Sequence, residues 1–337
     1  MSHRRATASA GACLAATVGL AALSGCAARV AAPICFPPPP ATPRLAYLGR
    51  LDELPVQVPG SSPILAWLRG EPAFPHYPFA RPLSAAAWGR WLAIADASLS
   101  RVVVFDFEHG RTRVVAPLAR PVAVAFGPDG TLYSAEADAH RITASSLSRD
   151  ASRLIAGPTP AFRPIALAVS ADTLFAADAA DHCLYATPLP GGEWRIVFRG
   201  ATCGAAPAGV CAVGDQLWLS DALLGRLLRG SPAGSFAAVA ARAIRRPRQL
   251  ACDDRGAALC LVDAAEHMLH VCDASGAELV SARGRPLLAV PTGVCLSRGL
   301  LPYFRGFAPA SLEPDAVVFV ANAGPPAGIG VFLLAAR

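Results

Sequence analysis

The sequence predicts an all-β chain built from six copies of one unit. Three observations carry that prediction. A proline that opens a short apolar strand recurs at Pro82, Pro121, Pro164, Pro207, Pro247 and Pro291, at intervals of 39, 43, 43, 40 and 44 residues. A second apolar strand closes on an acid at Asp96, Glu136, Asp178, Asp221 and Asp263, spaced 40, 42, 43 and 42 residues apart. Asn322 takes the sixth place, 59 residues on, because the last unit carries an insertion. Each acid is followed by a tight loop into a third strand, as in Arg101 to Asp106 (RVVVFD). A period near 40 residues with three or four short strands per repeat marks a β-propeller, here with six blades. One blade cannot bury both faces of its sheet, whereas six stacked around an axis do so and leave only short edges.

The elements before the first blade follow in order. His3, Arg4 and Arg5 form a positive start, and Ala6 to Leu23 is an uncharged run rich in Ala, Leu, Gly and Val. Its small and polar residues make it only weakly apolar, which suits a secretion signal better than a transmembrane helix. Leu23-Ser24-Gly25-Cys26 resembles the lipobox read by lipoprotein signal peptidase. The resemblance implies that residues 1–25 are removed and that Cys26 is lipidated as the new N-terminus, a durable membrane anchor. Residues 26–43, with Pro37 to Pro40, read as a stiff extended spacer. Residues 44–337 form the propeller. Its last blade ends at Gly330 to Leu334 with no outer strand of its own, while Arg44 to Gly49 is an unassigned strand. The N-terminal strand is therefore expected to complete the last blade. Ser62 to Gly70 (SPILAWLRG) reads as a short amphipathic helix, with Ser62 as cap, Pro63 in its first turn and Gly70 at its end.

Composition narrows the chemistry. The chain has 337 residues, 53% hydrophobic and 16% charged, which suits a large core and argues against disorder. All 30 basic residues are Arg, which excludes lysine nucleophiles and Schiff-base chemistry. Without Arg4 and Arg5 the mature chain has 28 Arg against 24 acids, a net +4 that is too mild to imply a nucleic-acid partner. The run Arg242 to Arg248 (RAIRRPR) reads as a solvated basic face rather than a phosphate site. Besides Cys13 and Cys26 there are eight cysteines, for which an oxidising compartment permits disulfides of open pairing. No Cys-x-x-Cys, Gly-x-Ser-x-Gly or phosphate-binding glycine loop occurs.

The repeat acids read as turn residues that accept backbone N–H groups. His140, His182 and His267 each lie four residues after the acid, in blades 2, 3 and 5, and are the alternative metal ligands. Blades 2 and 5 oppose each other, however, and one zinc needs every nitrogen at about 2.0–2.1 Å. No catalytic residue, metal or other cofactor is expected.

Arg101 to Asp106 and Pro128-Asp129-Gly130-Thr131-Leu132-Tyr133 resemble the end and the middle of the NHL repeat, a likeness that spans residues 80 to 337. The whole chain resembles bacterial six-bladed NHL-type propeller lipoproteins. That resemblance implies a lipid-anchored propeller in the cell envelope, at the outer membrane or on the periplasmic face. Peptidyl-amidoglycolate lyases are similar propellers whose zinc is held by three histidines, two of them directly after a repeat proline. Here Val122, Ile165, Ala208, Arg248 and Thr292 stand in that place, and only His182 resembles the remaining ligand loop. The Glu-x-His element of streptogramin lyases is missing. The expectation is a monomeric, non-enzymatic module that binds a protein partner of the envelope. The alternative is a metal-assisted lyase or lactonase working at the pore mouth. Partner binding is placed in the blade 6 insertion between Cys295 and Ala316, at Tyr303, Phe304, Arg305 and Phe307, because long aromatic loops bearing Arg suit interfaces. The competing role for the same side chains is to plug the pore or pack on the blade.

Overall fold

The two central strands of most repeats are buried on both faces. In blade 1, Trp91–Asp96 and Arg101–Asp106 are buried along nearly their whole length, whereas the fourth strand, Arg111–Val115, keeps solvent contact throughout. A strand buried on both sides reads as a continuous apolar run, as WLAIAD and RVVVFD do. The computed structural model describes residues 32–55, 76–149, 151–239, 244–253, 255–285 and 287–336. Cys26 and the helix expected over residues 62–70 lie outside them. Among the described residues no helix is long and apolar enough to cross a membrane.

The architecture is a six-bladed β-propeller. Blades 1 to 5 are four-stranded antiparallel sheets in sequence order. Their first strands are Pro82–Trp88, Pro121–Phe126, Pro164–Ser170, Pro207–Val213 and Pro247–Cys252, and blade 6 opens with Pro291–Ser297. These six first strands pack against one another in a closed cycle and line the axis. In blades 1, 3, 4, 5 and 6 the pairing register shifts just after the proline, and in blade 2 at its partner Glu136. A strand start with a bulge tolerates a residue that has no N–H to donate, which is why proline recurs there.

The ring closes as the N-terminal strand predicts. Leu45–Leu51 pairs antiparallel with Gly328–Leu334, from Leu45 opposite Leu334 to Leu51 opposite Ile329. Residues 26–43 are not only a spacer, however. Ile34–Phe36 adds a fifth strand outside Leu45–Leu51, because that strand's outer edge still offers unpaired N–H and C=O groups. A two-stranded ribbon of Glu53–Pro55 and His76–Pro78, also absent from the sequence reading, lies against blade 1. Leu54 is fully buried there, and Arg101 donates to the Pro78 carbonyl at 2.8 Å while its guanidinium lies 4.8 Å from the Tyr77 ring.

The core sits between blades. Leu92, Ile94, Val103 and Phe105 of blade 1 meet Val317, Phe319 and Val331 of blade 6 in one cluster. Each such side chain contributes roughly 1.5–3 kcal/mol on burial. A disulfide, Cys211–Cys252, ties the first strands of blades 4 and 5, with their Cα atoms 6.0 Å apart.

Candidate partner-binding face

The propeller has two unlike faces. The entry face carries the connections between blades and the loops from second to third strands. The hairpin face carries the turns from first to second and from third to fourth strands.

On the entry face the repeat acids work within their own blades. Asp263, fully buried, accepts N–H groups of Ala265 (2.8 Å) and Glu266 (3.1 Å) from the following loop. It also accepts those of Arg245 (2.7 Å) and Arg246 (3.3 Å), just before the strand-opening proline. Asp96, Asp178 and Asp221 repeat this clamp between blade entry and loop. Glu136, one carbon longer, takes the Ala119 N–H at 2.7 Å and adds Arg141 and the Thr143 hydroxyl. Burial alone would raise the pKa of Glu136 and Asp263, but these donors outweigh it and hold both below the ordinary carboxylate value. Asn322 sits at the sixth station with a different bond, its Nδ2 donating to the Val320 carbonyl at 3.4 Å.

The histidines are turn residues of the same loops. His140, His182 and His267 have φ of 55°, 50° and 54°, and the equivalent Ser100 and Gly225 have 50° and 61°. Asn, Asp and His enter this left-handed region more readily than other side chains, which accounts for their recurrence. The His182 carbonyl accepts the Gly200 N–H at 2.7 Å, and the His140 ring donates from Nδ1 to the Phe162 carbonyl at 2.7 Å. The three histidines are not brought together, which corrects their reading as an alternative metal set. The reason is that they stand in the second-to-third-strand loops of three separate blades. Among the described residues, three potential ligands come within 4.8 Å of one another at Asp106, Glu108 and His109 on blade 1. That group is knit by its own backbone and by Arg90.

On the hairpin face the blade 6 insertion forms a helical turn, Leu301–Phe304, followed by a tighter one, Arg305–Phe307. Leu300, Leu301, Phe304 and Leu312 are buried between blades 6 and 1. The Phe304 ring packs against Phe107 and Phe319, with centroids 5.4 and 5.5 Å away. Phe304 is therefore a core residue, which corrects its place among the partner-binding side chains. A loop anchored at both ends to one blade sinks its apolar groups into the nearest interblade groove. Tyr303, 5.3 Å from Phe107 by ring centroids, and Phe307 are half-buried, and Arg305 is exposed.

The insertion begins beside the first hairpin of blade 1: a Cβ on Gly299 would lie 2.7 Å from the Gly89 carbonyl. That hairpin reads Trp88-Gly89-Arg90-Trp91. Trp88 is 39% exposed, and its ring lies over Gly130 of blade 2, where a Cβ would come within 2.7 Å of it. Between this hairpin and blade 2 opens a cleft of about 860 Å³, lined by Trp88, Trp91, Asp129, Tyr133, Arg149 and Arg153 among others. Its size falls within the range of ligand pockets. Arg149 and Arg153 are exposed and have no carboxylate partner among the described residues. The Thr131 N–H holds Asp129 ionised below its ordinary value, and burial, then Asp129, pushes the Tyr133 phenol up. The cleft lining contains no His or Cys. Its Trp and Arg side chains equip it for cation–π, stacking and ionic contacts.

Sequence reasoning missed Trp88, Trp91, Arg149 and Arg153. The available signal was Trp-Gly-Arg-Trp in a turn where neighbouring repeats place Pro128-Asp129-Gly130, Ala171-Asp172 and Gly214-Asp215.

Comparison with known proteins gives likeness of fold. No protein-family model matches the chain, and no functionally curated protein matches its sequence. Among solved structures it is similar to a gluconolactonase from Xanthomonas campestris, with a TM-score of 0.60 and 16% identity over 76% of this chain and 87% of that one. It is similar to virginiamycin B lyase from Staphylococcus aureus, with a TM-score of 0.59 and 12% identity over 92% and 97%. A structure of the nidogen/laminin complex gives 0.56 and 14% over 72% and 94%. Identities this low establish the propeller and nothing about activity.

Proposed function

We propose that this chain is a lipid-anchored binding module of the NHL-propeller type, held in the bacterial cell envelope, that engages a protein partner through its hairpin face. The observation that carries the reading is Trp88, 39% exposed at the edge of the cleft shared with Arg149 and Arg153. Exposed Trp beside Arg is the composition of interface hot spots. The two unneutralised guanidinium groups favour an acidic segment on the partner. Tyr303, Arg305 and Phe307 extend the same face past Gly299 and Gly89.

The envelope assignment draws support from two sides. Leu23 to Cys26 resembles a lipobox, and a disulfide such as Cys211–Cys252 persists in oxidising compartments.

Photo-crosslinking in intact cells tests the binding reading. A crosslinker at Ser148, in the cleft lining, is expected to trap one defined partner, and Trp88→Ala with Arg153→Ala is expected to abolish that product. Crosslinks unaffected by the double substitution would place the interface elsewhere. Intact-mass analysis tests the anchor: diacylglycerol on Cys26 is expected, and an unmodified N-terminus at another residue would remove it.

A further inference from the structure

The entry face holds a separate feature that the partner-binding reading does not use. The residue just before the strand-opening proline is arginine in blades 1, 2, 3 and 5: Arg81, Arg120, Arg163 and Arg246. The first strands line the axis, so these residues stand on the rim of its mouth. In blades 1, 3 and 5 one repeated bond fixes the backbone, since the arginine N–H donates to the blade's own acid. The distances are 3.0 Å for Arg81 to Asp96, 3.2 Å for Arg163 to Asp178 and 3.3 Å for Arg246 to Asp263. Three alternate blades thus set arginines about the axis with approximate threefold symmetry. Arg120, in blade 2, is neutralised by Asp138 at 3.1 Å. Among the described residues the side chains of Arg81, Arg163 and Arg246 have no carboxylate partner.

Arg248 adds a fourth charge at the start of the blade 5 first strand. The equivalent residues, Leu83, Val122, Ile165, Ala208 and Thr292, are all uncharged, so no neighbouring first strand offers it a counter-ion at that station. Its Nε is buried and has no acceptor. Burial, and then the charge of Arg246, push its pKa below the usual guanidinium value. A buried donor left without an acceptor is unfavourable, and an oxyanion is one acceptor that would relieve it. Next along the strand, Gln249 Nε2 reaches past blade 6 to donate to Ser84 Oγ of blade 1 at 2.9 Å, and both residues are buried. That bond runs past Gly293 of blade 6 and ties three neighbouring first strands together on the channel wall below the mouth.

We propose that the axial mouth on the entry face binds a small oxyanion of two or three negative charges, a polycarboxylate or an oligophosphate, held by Arg248 and ringed by Arg81, Arg163 and Arg246. Guanidinium groups meet both chemistries with paired N–H donors. A ring of guanidinium groups around one mouth suits a small ligand that presents several oxygens at once.

Isothermal titration of the purified mature protein with citrate in one arm and pyrophosphate in the other, at constant ionic strength, tests the site and separates the two sources. Saturable binding of at least one probe is expected. Arg248→Gln is expected to weaken it by about tenfold or more, the loss of a charge-assisted contact. Arg255→Gln, an equal loss of charge in a hairpin-face turn, is expected to leave it unchanged. If Arg248→Gln does not fold, the combined Arg81→Gln, Arg163→Gln and Arg246→Gln variant, which alters only exposed side chains, carries the same expectation. Absence of saturable binding at millimolar probe, or equal weakening by Arg255→Gln, would overturn the proposal.

Discussion

Asp263 shows what the repeated acid does at the scale of one residue. It is fully buried, yet four backbone N–H groups from two separate loops surround it. Those bonds favour the ionised form, so its folded pKa, like that of Glu136, lies below the unfolded one. A depressed folded pKa makes a contribution that is complete above the unfolded value and lost as pH falls through the folded value. Thermal stability is therefore expected to be level near neutrality and to decline below about pH 4, where carboxylates begin to protonate. Calorimetry across pH checks this, and Asp263→Asn is expected to flatten the acid limb; a limb of unchanged steepness would assign the acid sensitivity to other groups. The histidines belong to the same scale. Four residues after the acid the backbone must turn left-handed, and Ser100, His140, His182, Gly225 and His267 all do so.

At the scale of an element, the blade 6 insertion divides by burial. Phe304 is 3% exposed among Phe107 and Phe319, whereas Arg305 is exposed. Phe304→Ser is expected to cost about 3–5 kcal/mol in urea denaturation, since it empties a packed aromatic site and adds a hydroxyl. Arg305→Ser is expected to change stability by less than about 0.5 kcal/mol, as a surface change. Equal effects would mean that the loop does not pack as described. The ion pair at the foot of this insertion has a related role. Arg298 meets the fully buried carboxylate of Asp253 at 2.6 Å and fastens the insertion to the first hairpin of blade 5.

For the whole molecule, stability rests on how well a ring of separate sheets is held shut. Leu45–Leu51 closes it by hydrogen bonds to Gly328–Leu334, and Cys211–Cys252 adds a covalent tie between adjacent first strands. The disulfide joins residues 41 positions apart, so a joint Cys211→Ser and Cys252→Ser change is expected to cost about 2–4 kcal/mol. Equilibrium unfolding with and without the substitutions measures it. Alkylation of the native protein before reduction should leave Cys211 and Cys252 unlabelled. Labelling of both in protein taken directly from the envelope would refute the bond and the support it lends to an oxidising compartment.

The sequence by itself determined the number of blades, the station at which each first strand begins and the acid at the end of the second strand in blades 1 to 5. These are legible because every blade meets the same local demands. A strand buried between two neighbours must be apolar throughout, a strand start with a bulge accepts proline, and a clamp of N–H groups requires a carboxylate. Even ring closure could be read, because an unpaired strand at one end of the chain matched a missing strand at the other. Only the tertiary structure decided the rest. It separated the histidines that share a station, buried Phe304 while leaving Arg305 exposed, and laid Trp88 over Gly130 beside Arg149 and Arg153. It also set Arg81, Arg163 and Arg246 around one mouth. Each of these depends on how whole blades are rotated about the axis, which places residues from different repeats side by side. Local periodicity carries no record of that rotation.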